Sequence, residues 1–241
     1  MEFINSIIIA IDEAGMRQEA YSTINSVFWY VALLVGFLNG MKLKIGVVPS
    51  VVTLLVHSCL SGPIVTAIIF LEDGFRMSGR ANGVYIFAFI PLLGYLVAKL
   101  LRKSYKQIWD MYMVIPLTMF AGARIACTVT GCCRGYPCSW GVYNPAVGEI
   151  LFPVQLLESL ISIFILTYVF WRQKKRNYVP DGRNVPIILI TYGIARFFTE
   201  FLNYDSLYFG FTWMQVHCVI MLIVGIVTLR IIQISEKREM Q

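Results

Sequence analysis

Residues 211–233 read FTWMQVHCVIMLIVGIVTLRIIQ, with Arg230 as the only Asp, Glu, Lys or Arg in the run. At 1.5 Å of rise per residue a helix over this stretch is about 35 Å long, enough to cross roughly 30 Å of hydrocarbon. The bilayer is therefore the expected solvent. Six further apolar runs of span length lie at 25–41, 48–71, 83–101, 108–127, 152–171 and 185–202. Pro91 in the third and Pro186 at the start of the sixth are compatible with crossing, because a first helical turn has no donor to lose and neighbouring helices can satisfy freed carbonyls. The pattern predicts an all-α polytopic membrane protein of about seven transmembrane helices.

Composition agrees. Hydrophobic residues make up 58% and charged residues 14% of the 241 residues, with a mean hydropathy of +0.69. An ordinary soluble domain has about 45–50% apolar and about 25% charged residues. At about 20 residues per span the chain holds one membrane domain, over 25–233, preceded by an N-terminal interfacial segment at 1–24 and followed by a cytoplasmic tail at 234–241. Residues 1–24 carry Glu2, Asp12, Glu13 and Glu19 and lack a basic start followed by an apolar core, the composition of a surface-lying helix rather than of a cleavable leader. The formal net charge of +6 does not indicate nucleic acid, because it resides in short loops, where membrane orientation puts it.

Those loops alternate. Lys42 and Lys44 follow the first run. Arg102, Lys103 and Lys106 follow the third, Arg172, Lys174, Lys175, Arg176 and Arg183 the fifth, and Arg230, Lys237 and Arg238 close the seventh. The N-terminal segment, 72–82, 128–151 and 203–210 are poorer in Lys and Arg and hold most of the acidic residues. Lys and Arg stay on the cytoplasmic side, so the N-terminus is expected outside and the C-terminus in the cytoplasm. The Arg76/Arg80 pair departs from this and reads as contact with lipid headgroups.

Four charged groups inside the runs stand out: Arg124, Glu158, Arg196 and Glu200. Charge in hydrocarbon costs a few kcal/mol or more, so such groups face the bundle interior or a functional cavity. With the orientation above, all four lie at outer-leaflet depth. Tyr192, Arg196 and Glu200 are spaced i, i+4, i+8 on one helix face, with Arg196 and Glu200 in pairing range. One reading is a buried ion pair that only fixes helix packing. The other uses the second arginine, Arg124: two guanidinium forks beside two carboxylates suit an anionic phospholipid headgroup.

Between the fourth and fifth runs, residues 122–141 read GARIACTVTGCCRGYPCSWG and hold four of the six cysteines. Gly131, Gly135, Gly141 and Pro137 imply a tightly folded loop rather than a helix. Three thiol roles stand open: a disulfide from Cys132 or Cys133 to Cys138, zinc ligation without a histidine, and a nucleophilic or proton-handling thiol near Arg124 or Arg134. Cys59, Cys218 and His57 read as packing residues within spans. His217, at the depth of the arginines, is a candidate general base or a structural histidine.

The same residues resemble the prolipoprotein diacylglyceryl transferase family. Ala123 to Gly135 aligns with its signature G-R-I-G-N-x-x-N-G-E-x-x-G, keeping Arg124, Gly131 and Gly135. Trp140-Gly141-Val142 matches its W-G-V, and Pro153-Val154-Gln155-Leu156-Leu157-Glu158 is similar to its H-P-S-Q-L-Y-E. Tyr192 to Phe201 is similar to its Y-G-x-x-R-F-x-x-E-F, Thr212-Trp213-Met214-Gln215 to its T-M-G-Q, and Trp29-Tyr30 with Gly36-Phe37 to its opening W-Y-G. The likeness is strong from 122 to 215. The family's third-span His-Gly-Gly-Leu is missing from Tyr85 to Leu92, its two signature asparagines are Cys127 and Thr130, and its glutamate is Cys132.

The resemblance implies a seven-span, N-out architecture and transfer of a diacylglyceryl group from phosphatidylglycerol, or another anionic phospholipid, to the thiol of a prolipoprotein lipobox, with altered acceptor chemistry. It assigns Arg124 and Arg196 to the phosphate, Glu200 to holding Arg196 and Tyr192 to a headgroup hydrogen bond. Glu158 and Gln155 would orient the loop, and Tyr30, Gly135 and Trp140 would line the substrate. His217 or Cys132 would serve as base. No cofactor or metal is expected, and a monomer is the default. Rival readings are a non-catalytic lipid-binding accessory protein and a membrane thiol-redox protein using Cys132, Cys133 and Cys138. A channel or carrier is disfavoured, because the charges gather at one depth instead of lining a path.

Overall fold

A computed structural model describes residues 1–72, 83–204, 212–239 and 241. Arg76, Arg80 and the segment around them lie outside the described residues. The helices are α1 (Glu2–Glu13), α2 (Arg17–Lys42), α3 (Val47–Glu72), α4 (Ile90–Leu100), α5 (Tyr105–Tyr112), α6 (Val114–Thr130), α7 (Val154–Lys175), α8 (Asn184–Thr199) and α9 (Trp213–Glu239). Among the described residues, six helical stretches are long and apolar enough to cross a membrane: Arg17–Lys42, Val47–Ile68, Tyr105–Thr130, Val154–Lys175, Asn184–Leu202 and Trp213–Glu239. The all-α polytopic expectation holds.

The third apolar run differs from the other six. It forms a 3-10 segment at Gly83–Phe89 followed by α4, with Pro91 in the first turn of α4. Pro91 has no N–H to give to the carbonyl of Phe87 and its ring crowds that carbonyl, so the α hydrogen-bond pattern does not extend back through it and the α-helix starts only at Ile90. The apolar helical stretch Tyr85–Leu100 is consequently shorter than the six spans. Proline also explains the interruption between α5 and α6. The ring of Pro116 cannot donate to the carbonyl of Tyr112 and crowds it, and the helix breaks at Met113. At the N-terminus α2 begins at Arg17 rather than near 25, so only α1 and the turn after it stand apart from the first span.

α6 is the central helix, and thirteen of its seventeen residues are buried. Its glycine at 122 lets α2 come close: a Cβ there would collide with the Phe28 ring. Small residues at such crossings permit the van der Waals packing that holds helices together in lipid. On its other side Ser159 of α7 donates to the Ala121 carbonyl at 2.8 Å.

The polar segments separate to two ends of the bundle. At one end the buried carboxylate of Asp110 accepts the backbone N–H groups of Asp181 (2.8 Å), Gly182 (2.9 Å) and Asn184 (3.0 Å). Its backbone carbonyl accepts from the side chains of Asn39, Gln173 and Asn184. Ion pairs Lys106–Glu239, Arg183–Glu236 and Arg172–Asp181 join the same end. The four Lys/Arg-rich segments of the sequence thus meet on one face. The opposite end carries an antiparallel hairpin, β1 (Pro137–Asn144) with β2 (Glu149–Leu151), in which Tyr143 faces Ile150 and Asn144 faces Glu149. The Asn5 side chain of α1 accepts from the Tyr143 N–H at 2.9 Å, tying the N-terminal helix to that end.

Candidate functional site

The buried charges converge. Glu158, in the second turn of α7, places Oε2 2.7 Å from Arg124 Nε of α6 and Oε1 2.8 Å from Arg196 Nη1 of α8. Arg196 Nη1 also lies 2.5 Å from Glu200 Oε2, one turn further along its own chain. All four side chains are buried, Glu158 to 2% exposure. Two cations and two anions sum to zero, which makes the cluster tolerable away from water.

Neighbouring polar groups complete the set. Thr199 Oγ1 lies 3.2 Å from Glu158 Oε1, and Asn203 Nδ2 donates to Glu200 Oε2 at 2.9 Å. The Arg124 guanidinium stacks 4.5 Å above the centre of the Phe120 ring. The Glu158 contact with Arg124 Nε is close but off the N–H axis, and Arg196 Nε and the Tyr192 hydroxyl find no hydrogen-bond partner among the described residues. Tyr192 is packed against the rings of Phe87 and Phe120, centroids 5.3 Å away in each case. Buried donors in a native structure nearly always have partners, so these two are open to a further acceptor.

The cysteine loop stands against this cluster. α6 ends at Thr130, and Gly131 caps it in the left-handed conformation with φ 67°. A side chain there would be strained and would collide with the Asn144 amide. The reversal brings Cys132 and Cys133 back over the last turn of α6, where Cys127 sits. Asn144 Nδ2 is 3.3 Å from the Gly131 carbonyl and 3.5 Å from that of Cys133, which also accepts from Gln155 Nε2. Further on, Gly135 bridges to Asn203 and the Tyr204 N–H donates to the Arg134 carbonyl at 2.8 Å. The loop is thereby pinned to the segment that carries Glu200.

Each sequence-predicted residue now has a place. Arg124, Arg196 and Glu200 meet, with Tyr192 packed near them. Gln155 donates to the Cys133 carbonyl in the loop. Glu158 does not touch the loop in any of these contacts and instead joins the two arginines. Tyr30 is 71% exposed on α2 and Trp140 61% exposed on β1 against the ring of Phe152, so neither is part of the buried cluster. The ring of His217 lies against that of Tyr85, centroids 4.1 Å apart. The thiols differ most from expectation. All six cysteines are unbridged. The sulfurs drawn together are those of Cys127, Cys132 and Cys133, all within 4.8 Å of one another, and Cys138 is not among them. Hydrogen bonding with the Cys127 and Cys133 thiols holds the Cys132 thiol well below its ordinary range, and the Arg124 charge acts in the same direction. Thr199, Asn203 and Asn144 went unnoticed in the sequence, since a neutral polar residue near a span end carries no distinguishing signal.

Fold and cluster together define a multi-pass membrane protein with a buried arginine–carboxylate tetrad beneath a cysteine-bearing loop at one end of the bundle. The family model described as prolipoprotein diacylglyceryl transferase matches residues 82–231, and the chain belongs to that family. Among curated relatives, the phosphatidylglycerol--prolipoprotein diacylglyceryl transferase of Campylobacter hominis is 32% identical over 150 residues, covering 56% of this chain and 51% of the relative. Transferase 2 of Clostridium perfringens is 31% identical over 115 residues, covering 42% and 44%. The chain spans about half the length of these curated relatives. No solved structure matches.

Proposed function

We propose that the chain moves a diacylglyceryl group from phosphatidylglycerol to an acceptor thiol at the outer leaflet of a bacterial cytoplasmic membrane, with seven spans, the N-terminus outside and the tetrad facing the outer headgroups. One observation carries this reading: Glu158 sets one carboxylate oxygen on each of two guanidinium groups from different helices, at 2.7 and 2.8 Å. Two anionic oxygens bridging two arginines are what a headgroup phosphate also supplies. The phosphate would displace Glu158, keep Arg196 aligned by Glu200, and take up the Arg196 Nε–H and Tyr192 hydroxyl, which lack a hydrogen-bond partner among the described residues.

Apolar space supports a lipid donor. A groove of about 350 Å³ opens between α7 and α8, lined by Leu160, Ile161, Phe164, Ile165, Thr191 and Ala195. No tetrad side chain lines it; along the chain it starts two residues after Glu158 on α7 and includes Ala195, the neighbour of Arg196 on α8, so an acyl chain in it would end near the depth of the tetrad. In the reaction the acceptor thiolate attacks the terminal glyceryl carbon, a C–S bond forms and the C–O bond to phosphate breaks. Glycerol phosphate leaves with the electron pair, and Arg124 and Arg196 meet its charge. The acceptor side is altered, since Cys127, Thr130 and Cys132 stand where the family signature has two asparagines and a glutamate.

The test is to incubate purified protein with labelled phosphatidylglycerol and a lipobox peptide. A peptide mass gain of one diacylglyceryl unit with release of glycerol phosphate is expected. Arg196→Lys, which keeps the charge but loses the fork, should slow transfer by roughly 10–100-fold, the scale of one charge-assisted hydrogen bond. Absence of both products would overturn the assignment. Lipid retained without turnover would point instead to an accessory lipid-binding protein.

A further inference from the structure

Three thiols gathered at one point need an explanation that a disulfide does not provide. The sulfurs of Cys132 and Cys133 are 3.9 Å apart, whereas a disulfide requires about 2.05 Å. Two sulfurs on one tetrahedral zinc, each about 2.3 Å from the ion, stand roughly 3.8 Å from one another. Cys127 belongs to the same group, within 4.8 Å of both. The Cys132–Cys133 spacing is that of two ligands on one ion, and Cys127 is near enough to join them.

The surroundings fit that use. The backbone at the thiols is fixed by the left-handed Gly131, by Asn144 and by Gln155, so little conformational entropy is left to lose on binding. Three thiolates around a divalent ion leave one surplus negative charge. Arg124 Nη1 donates toward Cys133 Sγ at 3.4 Å and supplies the opposite charge. An all-sulfur donor set selects thiophilic ions such as Zn²⁺ over Mg²⁺ or Ca²⁺. Three protein ligands, one of them the exposed Cys132, leave a fourth position open, the arrangement of a reactive rather than a purely structural zinc centre.

We propose that Cys127, Cys132 and Cys133 form a three-thiolate site for a thiophilic divalent ion, Zn²⁺, whose open fourth position binds the acceptor thiol. This second half rests on the transferase reading above. A thiol is deprotonated when it coordinates zinc, its proton passing to water, and the bound sulfur remains nucleophilic. It attacks the glyceryl carbon, the C–S bond forms, the C–O bond breaks, and glycerol phosphate departs with the electron pair toward Arg124 and Arg196. The site thus supplies the activation for which the sequence holds no third-span histidine and no signature glutamate. Asn144 and Gln155 are positioning residues, acting through the loop carbonyls.

Cobalt is the probe. Reduced, chelator-treated full chain in detergent is titrated with Co²⁺ and the thiolate-to-cobalt charge-transfer and tetrahedral d–d bands are recorded. One Co²⁺ per chain, displaced by Zn²⁺, is expected. Cys127→Ser and Cys132→Ser should lose the bands while Cys138→Ser and Cys59→Ser keep them, and Gln155→Leu should weaken binding by about 10–100-fold. A cysteine peptide should perturb the d–d bands and its serine analogue should not. An unchanged melting transition for Cys132→Ser, whose side chain is exposed, shows that loss of the bands is loss of ligands. No stoichiometric binding, or binding indifferent to Cys132, overturns the metal site. Metal binding without any diacylglyceryl transfer leaves the site standing and removes the transferase reading. Transfer that continues undiminished in metal-free protein removes zinc activation and leaves the transferase reading intact.

Discussion

Replacing Glu158 by glutamine tests the tetrad most directly. The amide keeps the shape of the side chain and removes the anion that Arg124 and Arg196 share at 2.7 and 2.8 Å. Two buried guanidinium ions then face one carboxylate, Glu200, and the cluster carries a net positive charge away from water. Removing one partner of a buried ion pair costs about 3–5 kcal/mol. For a chain of this size each kcal/mol shifts the melting temperature by about 2–4 °C, so Glu158→Gln should melt roughly 6–20 °C below the parent. The assay is thermal unfolding of the detergent-solubilised chain followed by tryptophan fluorescence. Glu149→Gln, on the exposed hairpin, is the comparison and should shift stability by no more than about 0.5 kcal/mol. Added glycerol phosphate should restore stability to Glu158→Gln more than it stabilises the parent, because in the parent it competes with Glu158 for the same guanidinium N–H groups. A Glu158→Gln shift no larger than that of Glu149→Gln would refute the bridging role, and equal anion effects on both proteins would refute the phosphate slot.

Two further outcomes follow from the contacts. Tyr192→Phe removes a hydroxyl that has no hydrogen-bond partner among the described residues, so its melting temperature should stay within the equivalent of about 0.5 kcal/mol. Its transfer rate should nevertheless fall about tenfold, the value of one hydrogen bond to the headgroup; an unchanged rate removes Tyr192 from the site. Asp110→Asn weakens three backbone N–H contacts at the other end of the bundle and should lower stability by about 3 kcal/mol. Measured below its melting transition, this variant should transfer at a rate within about twofold of the parent, because distant sites without shared partners act independently. A larger loss of rate would show coupling between the two ends.

The sequence by itself determined whatever depends on neighbours along one helix or on the solvent around it. Span-length apolar runs made the fold class legible, alternating Lys and Arg sorted the loops into two sets, and the four-residue step from Arg196 to Glu200 announced a pair that the structure contains. These signals are local, because a helix repeats every 3.6 residues and hydrocarbon has a fixed thickness. Pairing across helices was decided only by tertiary packing. Glu158 stands 34 residues after Arg124 and 38 before Arg196, and no periodicity in α7 says which neighbouring helix its carboxylate will meet. The thiols show the same limit: loop spacing offers Cys138 as a partner for Cys132 or Cys133, yet the left-handed turn at Gly131 folds Cys132 and Cys133 back onto Cys127. The Asp110 hub escaped notice because its three donors lie more than seventy residues away. Crossing angles and loop reversals fix such meetings, and they are properties of the packed chain rather than of any single segment.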